Sequence, residues 1–275
     1  MMSLALLWVS ALTSVAHATI DPKCQDLADE GPPAGYSEQG QQDWLLNYFS
    51  LATTLSPMHP PVPVEPGHGT VGLELMVIPP VSCEHRLVLD YSKTEDTNKA
   101  PVAPRPRVTF AFPKVGPLIL YGGFAYVPPI TVFGTRNVIV SAEAGVGYPM
   151  ESGLQLGLRY HATLMKTVAE IATPFNEGDP AKDDFYVGST FGTDAMVGFE
   201  TKKLTPYVAL GFTDVSTYFY IGDDGFVGNN ADPFLGFTGS VGTNLHLVKW
   251  LDLDGELYTA PGYLYTGRLR AAIRL

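Results

Sequence analysis

The sequence predicts an all-β fold: a transmembrane antiparallel β-barrel of about twelve strands, with ten or fourteen left open. Three observations carry this. Apolar and charged residues alternate with period two, the N-terminus looks exported yet no long apolar helix follows, and arginine is segregated from lysine. The alternation is plainest in residues 251–275. Leu251, Leu253, Gly255 and Leu257, then Tyr265, Gly267, Leu269, Ala271, Ile273 and Leu275, share one parity. Asp252, Asp254, Glu256, Arg268, Arg270 and Arg274 share the other. Period two is the repeat of a strand. A hairpin centred on Gly262 sets Glu256 opposite Arg268 and Asp254 opposite Arg270, so unlike charges face one another. In a barrel that crosses a bilayer the apolar parity meets lipid and the charged parity lines the lumen.

Residues 1–18 read as a signal peptide, with an apolar core from Leu4 to Thr13 and Ala16-His17-Ala18 before the expected cleavage after Ala18. Cys24 is not preceded by Leu-Ala-Gly, so no lipid anchor is expected. No later segment approaches the ~18 consecutive apolar residues of a transmembrane helix. Only 16% of the 275 residues are charged, against about 25% in soluble domains. Glycine (28) and proline (23) are abundant, as a turn-rich β protein requires. A net charge of −11 argues against a nucleic-acid partner. The two cysteines, Cys24 and Cys83, are expected to form a disulfide in an oxidising compartment.

Residues 19–43 are polar and broken by Gly31-Pro32-Pro33, and read as a periplasmic lead-in to a barrel over 44–275. Twelve strand candidates follow: 44–55, 70–78, 85–91, 106–112, 117–127, 136–148, 153–165, 184–199, 206–220, 233–247, 251–259 and 264–275. The weakest are 44–55 and 85–91. Breaks at 79–84, 113–116, 149–152, 200–205 and 248–250 are short. Those at 56–69, 92–105, 128–135, 166–183 and 221–232 are longer. Short turns on one side and long loops on the other are the habit of outer-membrane barrels. The longer set is expected outside the cell, with both cysteines on the periplasmic side.

The charges agree. All nine lysines lie in the lead-in, breaks or turns, whereas Arg86, Arg107, Arg159, Arg268, Arg270 and Arg274 lie in strands on the polar parity. They share it with Glu74, Asp90, Glu143, Asp194, Asp252, Asp254 and Glu256. A turn centred on Glu151 pairs Glu143 with Arg159 and Ser141 with His161. One centred on Lys249 pairs His246 with Asp252 and Asn244 with Asp254. Trp44, Tyr148, Phe199, Tyr207 and Trp250 fall at periplasmic strand ends, and Tyr126, Phe185 and Tyr265 near outer ends, as two aromatic belts require.

Signal, amphipathic strands, aromatic ends and a terminal strand that runs to the last residue together resemble bacterial outer-membrane β-barrel proteins over residues 44–275. Such proteins usually end in an aromatic residue, whereas this chain ends in Leu275. The resemblance implies outer-membrane lipid and the membrane's assembly machinery as partners, and localisation in a bacterial outer membrane.

For function, Glu143, Arg159, His161, Asp252, Asp254, Glu256, Arg268, Arg270 and Arg274 are the expected lumen-lining residues. They suit a passive pore for small hydrophilic solutes. The alternative is a closed structural or surface-interaction barrel that acts through its external loops, mainly 166–183 and 221–232. A lipid-modifying rim enzyme is the remaining reading. Ser141, His161 and Glu143 are the residue types of a hydrolytic triad, but no Gly-x-Ser-x-Gly elbow occurs, so no catalytic residue is expected. His59, Glu65 and His68, and the acidic 223–232 stretch, lack metal-site spacing. No metal or cofactor is expected.

Overall fold

The computed structural model describes residues 20–169, 184–221, 225–229 and 231–275. The signal segment, most of the 166–183 loop with Lys182, and Asp223, Asp224 and Asn230 lie outside the described residues. The strands are β1 (Gly69–Val77), β2 (Leu87–Val88), β3 (Lys93–Thr94), β4 (Val102–Ala111), β5 (Ile119–Val132), β6 (Thr135–Pro149), β7 (Leu154–Ala169), β8 (Asp184–Phe199), β9 (Leu204–Ile221), β10 (Gly225–Asn229), β11 (Leu235–Val248), β12 (Leu251–Ala260) and β13 (Leu264–Arg274). The helices are α1 (Gln25–Glu30), α2 (Glu38–Thr53) and α3 (Cys83–Arg86). Ten strands, all except β2, β3 and β10, close antiparallel into a barrel, sealed where β1 meets β13 and β8 meets β9.

Alternation decides which way the strands face. Leu73, Val108, Phe110, Leu158, Leu164, Val197, Leu210 and Ile273 are exposed on the outside, while Thr109, Ser141, Thr163, Thr190, Arg159 and Arg270 are buried inside. This inside-out arrangement suits a bilayer, where backbone groups paired within the barrel wall are kept from lipid. No helix among the described residues is long and apolar enough to cross a membrane. Trp250, Tyr148 and Phe199 stand exposed at the end with short turns; Tyr126 and Tyr265 stand exposed toward the other. Tyr207 does not join a belt: it is buried in the lumen.

Ten strands rather than twelve follow from two corrections. Residues 44–55 are not a barrel strand. They belong to α2, started by Ser37, whose Oγ accepts from Gly40 N at 3.0 Å, with Glu38 in the first turn. Residues 85–91 are not a strand either; they hold part of α3 and the short β2. The whole of 78–101 is therefore one connection from β1 to β4, and β1 runs opposite to the expected sense. The 128–135 break is also absent. β5 and β6 continue to a tight turn at Phe133 and Gly134, both with positive φ (51° and 74°), the turn geometry that matches strand twist.

At the loop end, the chain before α2 packs with 78–101 as a cap. Cys24 and Cys83 are joined, 59 residues apart in sequence. Cys24, Leu87 and Tyr91 form a small core there. The bond is thus at the loop end, not at the short-turn end where both cysteines were expected. The luminal assignment of Arg86 is likewise corrected: its Nη1 contacts Asp21 Oδ2 at 2.9 Å within the cap. Asp90 is in the cap too. Trp44 stacks on His85, ring centroids 3.5 Å apart, instead of lying in a membrane belt.

Two predictions follow from this placement. Leu158→Arg puts a charge on the lipid face and should cost about 2–4 kcal/mol, whereas Glu151→Arg in a short turn should leave folding intact. Heat-modifiable migration and urea titration measure both; equal losses would contradict the facing. The second concerns Asp21, whose carboxyl is held below its ordinary 3.8 by the Lys23 backbone N–H and then by Arg86. With the folded value depressed, this contact contributes stability above the ordinary value, lost as pH falls through the folded one. An NMR titration should place the Asp21 midpoint below ordinary in the native protein and higher in Arg86→Leu.

Candidate functional site

The lumen is occupied by the protein's own chain. From the cap, α2 enters at the loop end and its C-terminus lies inside the barrel. Residues 54–66 then continue toward the short-turn end, where β1 begins. Leu55, Met58 and His59 are fully buried along this path.

A helix end leaves its last carbonyls without intrahelical donors, and burial makes unpaired carbonyls costly. The barrel supplies the donors as arginines. Arg268 Nη1 donates to Thr54 O at 2.6 Å and Nη2 to Ala52 O at 3.3 Å. Arg105 Nη1 donates to Thr53 O at 2.9 Å. Arg159 Nη2 donates to Leu55 O at 2.7 Å. Arg107 donates to Ser56 O at 3.0 Å and Pro57 O at 2.6 Å. Their positive charge also suits the negative end of the helix dipole. The segment's own N–H groups meet barrel acceptors: Leu55 N to Thr163 Oγ1 at 3.1 Å, Met58 N to Glu256 Oε2 at 2.9 Å and Val62 N to Gln155 Oε1 at 3.2 Å.

Carboxylates hold the arginines. Glu74 lies 2.6 Å from Arg105 and 3.5 Å from Arg107. Glu143 bridges Arg107 at 2.7 Å and Arg159 at 2.5 Å, and Asp194 takes Arg159 at 2.5 Å. His59 Nε2 reaches Glu143 at 3.3 Å, and His161 lies 3.7 Å from Asp194. Nearer β11 to β13, Arg270 pairs with Asp254 at 2.8 Å, and Asp252 with Arg274 at 2.7 Å and His246 at 2.8 Å. His246 and Arg274 also touch each other. Arg274 is partly exposed at the short-turn end; the other expected lumen residues, Glu143, Arg159, His161, Asp252, Asp254, Glu256, Arg268 and Arg270, are buried inside the barrel.

The register is as expected in the last three strands: His246↔Asp252, Asn244↔Asp254, Asp254↔Arg270 and Glu256↔Arg268 are partners. Glu256 and Arg268 nevertheless do not pair as charges. Arg268 turns to the α2 carbonyls and lies over the Tyr258 ring at 4.5 Å. Glu256 accepts from Met58 N and from the Tyr207 hydroxyl at 2.8 Å. Between β6 and β7 the expected register is corrected by two residues: Glu143 faces His161, and Ser141 faces Thr163. Ser141 bonds Thr163 at 3.0 Å, and Glu143 is held by arginines, so the three triad residue types do not assemble as a relay. Arg105, read from sequence as a loop residue, is a missed member of the lumen.

Shape matches charge. A Cβ added at Gly147 would lie 2.5 Å from Pro61 O; at Gly157 it would meet Pro61 Cβ at 2.9 Å, and at Gly198 Pro61 Cδ at 2.7 Å. Three strands thus leave room for one luminal proline. His59, Glu65 and His68 are not gathered: His59 is deep in the lumen, while His68 bonds the Leu275 carbonyl. Among the described residues no group of three or more His, Cys, Asp or Glu could hold a metal.

No family model matches the chain, and no curated protein matches its sequence. Among solved structures it is similar to the translocator domain of autotransporter NalP from Neisseria meningitidis, with 9% identity, TM-score 0.44, and coverage of 95% of this chain and 99% of that one. It is also similar to an outer membrane channel from Pseudomonas putida F1, with 14% identity, TM-score 0.38, and coverage of 77% and 97%. The beta domain of the Bordetella autotransporter Brka matches at 11% identity and TM-score 0.39, covering 76% and 98%. The chain's own architecture is a closed ten-strand antiparallel barrel with an apolar outer face and a polar interior, the form of a transmembrane β-barrel.

Removing one partner of a buried charge network strands the others. Arg159→Met would leave Glu143, Asp194 and the Leu55 carbonyl short of a donor, and should cost about 3–5 kcal/mol. Urea unfolding followed by heat-modifiable migration measures this; a change under 1 kcal/mol would mean that the network contributes little.

Proposed function

We propose that this protein is a closed barrel that works from the membrane surface, displaying a disulfide-tied cap, and is not an open pore at rest. The observation that supports this reading is the fit of residues 52–62 to the lumen wall. Each buried arginine that could attract an anionic solute is engaged by a carbonyl or a carboxylate of the protein itself. A conducting state would have to withdraw the segment and leave four arginines without their carbonyl partners.

The cap, residues 20–37 with 78–101, sits at the end where β7 leads to β8 and β9 leads to β11, the longer connections by residue count. Longer connections belong outside the cell in barrels of this kind, so the cap is the surface offered to the environment. It is fastened to α2: Gln41 Nε2 donates to Glu84 O at 2.8 Å and Leu87 O at 2.9 Å, and Glu38 accepts from Asp90 N at 2.8 Å. On the opposite side of α2, Asp43 accepts from Ala231 N at 3.0 Å.

The test is electrical. In planar bilayers the native protein should show no stepwise conductance, and a variant lacking residues 20–66 should show it. Steady single-channel steps from the native, disulfide-bonded protein would overturn the reading in favour of a pore for small hydrophilic solutes. Orientation has its own check. On intact cells, an impermeant reductant followed by an impermeant maleimide should label both Cys24 and Cys83. Labelling only after the outer membrane is permeabilised would place the cap on the periplasmic side.

A further inference from the structure

Two cations stand on the outer wall near the loop end. Arg136 of β6 and Lys166 of β7 are both exposed and both lie on the lipid-facing parity. Val138 is the partner of Lys166, and Val168 that of Arg136. The two charges are therefore diagonal neighbours on one face, about 7–8 Å apart along the wall. Among the described residues, the other lysines and arginines lie in the cap, in the lumen or at the short-turn end, and neither Arg136 nor Lys166 has an ion-pair partner. Asp214, an exposed carboxylate of the outer wall, stands two strands from Lys166, opposite Phe191. Lys166 Nζ lies 4.9 Å from the centre of the Phe185 ring, which holds the ammonium against the wall. Thr131, exposed on β5, is the partner of Arg136.

Their depth follows from the strand. Tyr148, in the belt at the short-turn end, is the partner of Leu156, and Lys166 is ten residues farther along β7. At ~3.3 Å per residue and a tilt of ~40°, that rise is about 25 Å, the height of the apolar band of a membrane barrel. The pair thus sits at the opposite headgroup level. Beneath it the wall is shallow. The outward residues of β6 below Arg136 run Val138, Val140, Ala142 and Ala144, none larger than valine. Tyr126 on β5 and Tyr160 on β7, the partners of Val140 and Ala144, stand exposed on either side. Small side chains between two rings form a trough that a hydrocarbon chain can follow.

We propose that Arg136 and Lys166 clamp the phosphate of an outer-leaflet lipid whose hydrocarbon chain follows this trough. A lone cation at an interface commonly reaches up to water. Two adjacent like charges repel, and an anion held between them offsets that cost. Arginine's fork takes two phosphate oxygens while lysine adds a point charge, and Thr131 places a hydroxyl beside Arg136. A phosphate monoester, with up to two negative charges, suits this pair better than a zwitterionic headgroup, whose own cation the pair would repel. The leaflet rests on the orientation proposed above, which the cysteine labelling tests separately. The clamp itself needs neither that orientation nor a closed lumen.

The test uses the full-length mature protein in nanodiscs of phosphatidylcholine with diphosphorylated lipid A, and native mass spectrometry counts the lipid that stays bound on release. The native protein should retain lipid A, and Arg136→Gln combined with Lys166→Gln should lower that retention on the order of tenfold. Lys202→Gln with Lys203→Gln, which removes two cations at the short-turn end, should leave it unchanged. Heat-modifiable migration checks that both variants fold. No retention by the native protein, or undiminished retention by the Arg136 and Lys166 variant, would overturn the clamp. An equal loss in both variants would overturn it too, because charge count alone would then set retention. If lipid A stripped of its phosphates is retained equally well, sugar and chains carry the binding and the clamp fails. Displacement of lipid A by inorganic phosphate would overturn the lipid assignment in favour of a free-anion site. Preference for phosphatidylglycerol, a lipid of the inner leaflet, through the same two residues would overturn the leaflet.

Discussion

A helix terminus inside a membrane barrel is the constraint on which the rest of this structure depends. The carbonyls of residues 52–57 lie where water does not reach them, and each needs a donor. Arginine suits the task because its planar fork can reach carbonyls while another N–H holds a carboxylate. Arg159 does both, toward Leu55 on one side and Glu143 and Asp194 on the other. Once four arginines are committed to the helix end, carboxylates must follow to balance them, and this fixes the polar residues of β1, β6 and β8. The charged parity that alternates along the strands is thus the outer half of a two-part structure whose inner half is residues 52–62.

The same constraint sets where the lumen charges point. A conducting lumen offers charges to passing ions. Here the strong donors point at backbone, and the steric details agree. Pro61 lies against three strands at glycines, and Tyr121 and Tyr207 cover Gly145 and Gly242, where an added Cβ would lie 2.3 Å and 2.5 Å from ring atoms. Side chains and plug together occupy much of a ten-strand interior that is only slightly wider than the eight-strand size which side chains alone can fill.

Most of the barrel was legible because alternation and short turns constrain register strongly. From Asn244 to Arg274 the partners are those that hairpin arithmetic requires, including the Asp254–Arg270 ion pair. What was not legible has specific causes. Residues 44–55 mix apolar and aromatic side chains with Asn47, Ser50, Thr53 and Thr54, because from Trp44 onward α2 has no exposed residue; neither a helical nor a strand period stands out, and the Ser37 cap was the one local sign. Arg105 lies between Pro104 and Pro106, which mark a loop in most contexts and here mark the edge of a seam where β4 parts from β5. Tyr207 sits where a belt residue belongs, yet the parity of its strand turns it inward to Glu256. The placement of Cys24 and Cys83 followed from counting 44–55 and 85–91 as strands; removing both returns the later strands to their expected directions and moves the bond to the loop end.

The seam and the plug are mechanically related. Toward the loop end β4 parts from β5, because the ladder between them runs only from Arg107↔Ala125 to Ala111↔Tyr121, and the two edges of this seam lack ladder partners there. β4 is also the strand that carries Arg105 and Arg107. Through them it is tied to Thr53, Ser56 and Pro57 of the luminal segment, to Glu74 on β1, and to Glu143 on β6. Glu143 lies beyond β5, so the Arg107 contact spans the strand from which β4 has parted. The charge network thus closes from the inside a wall that proline leaves open in the sheet. A barrel without the luminal segment could keep the same strands, but it would lose these cross-ties at the place where the ladder is weakest. The arginines that fasten the plug therefore also hold the barrel together beside the seam.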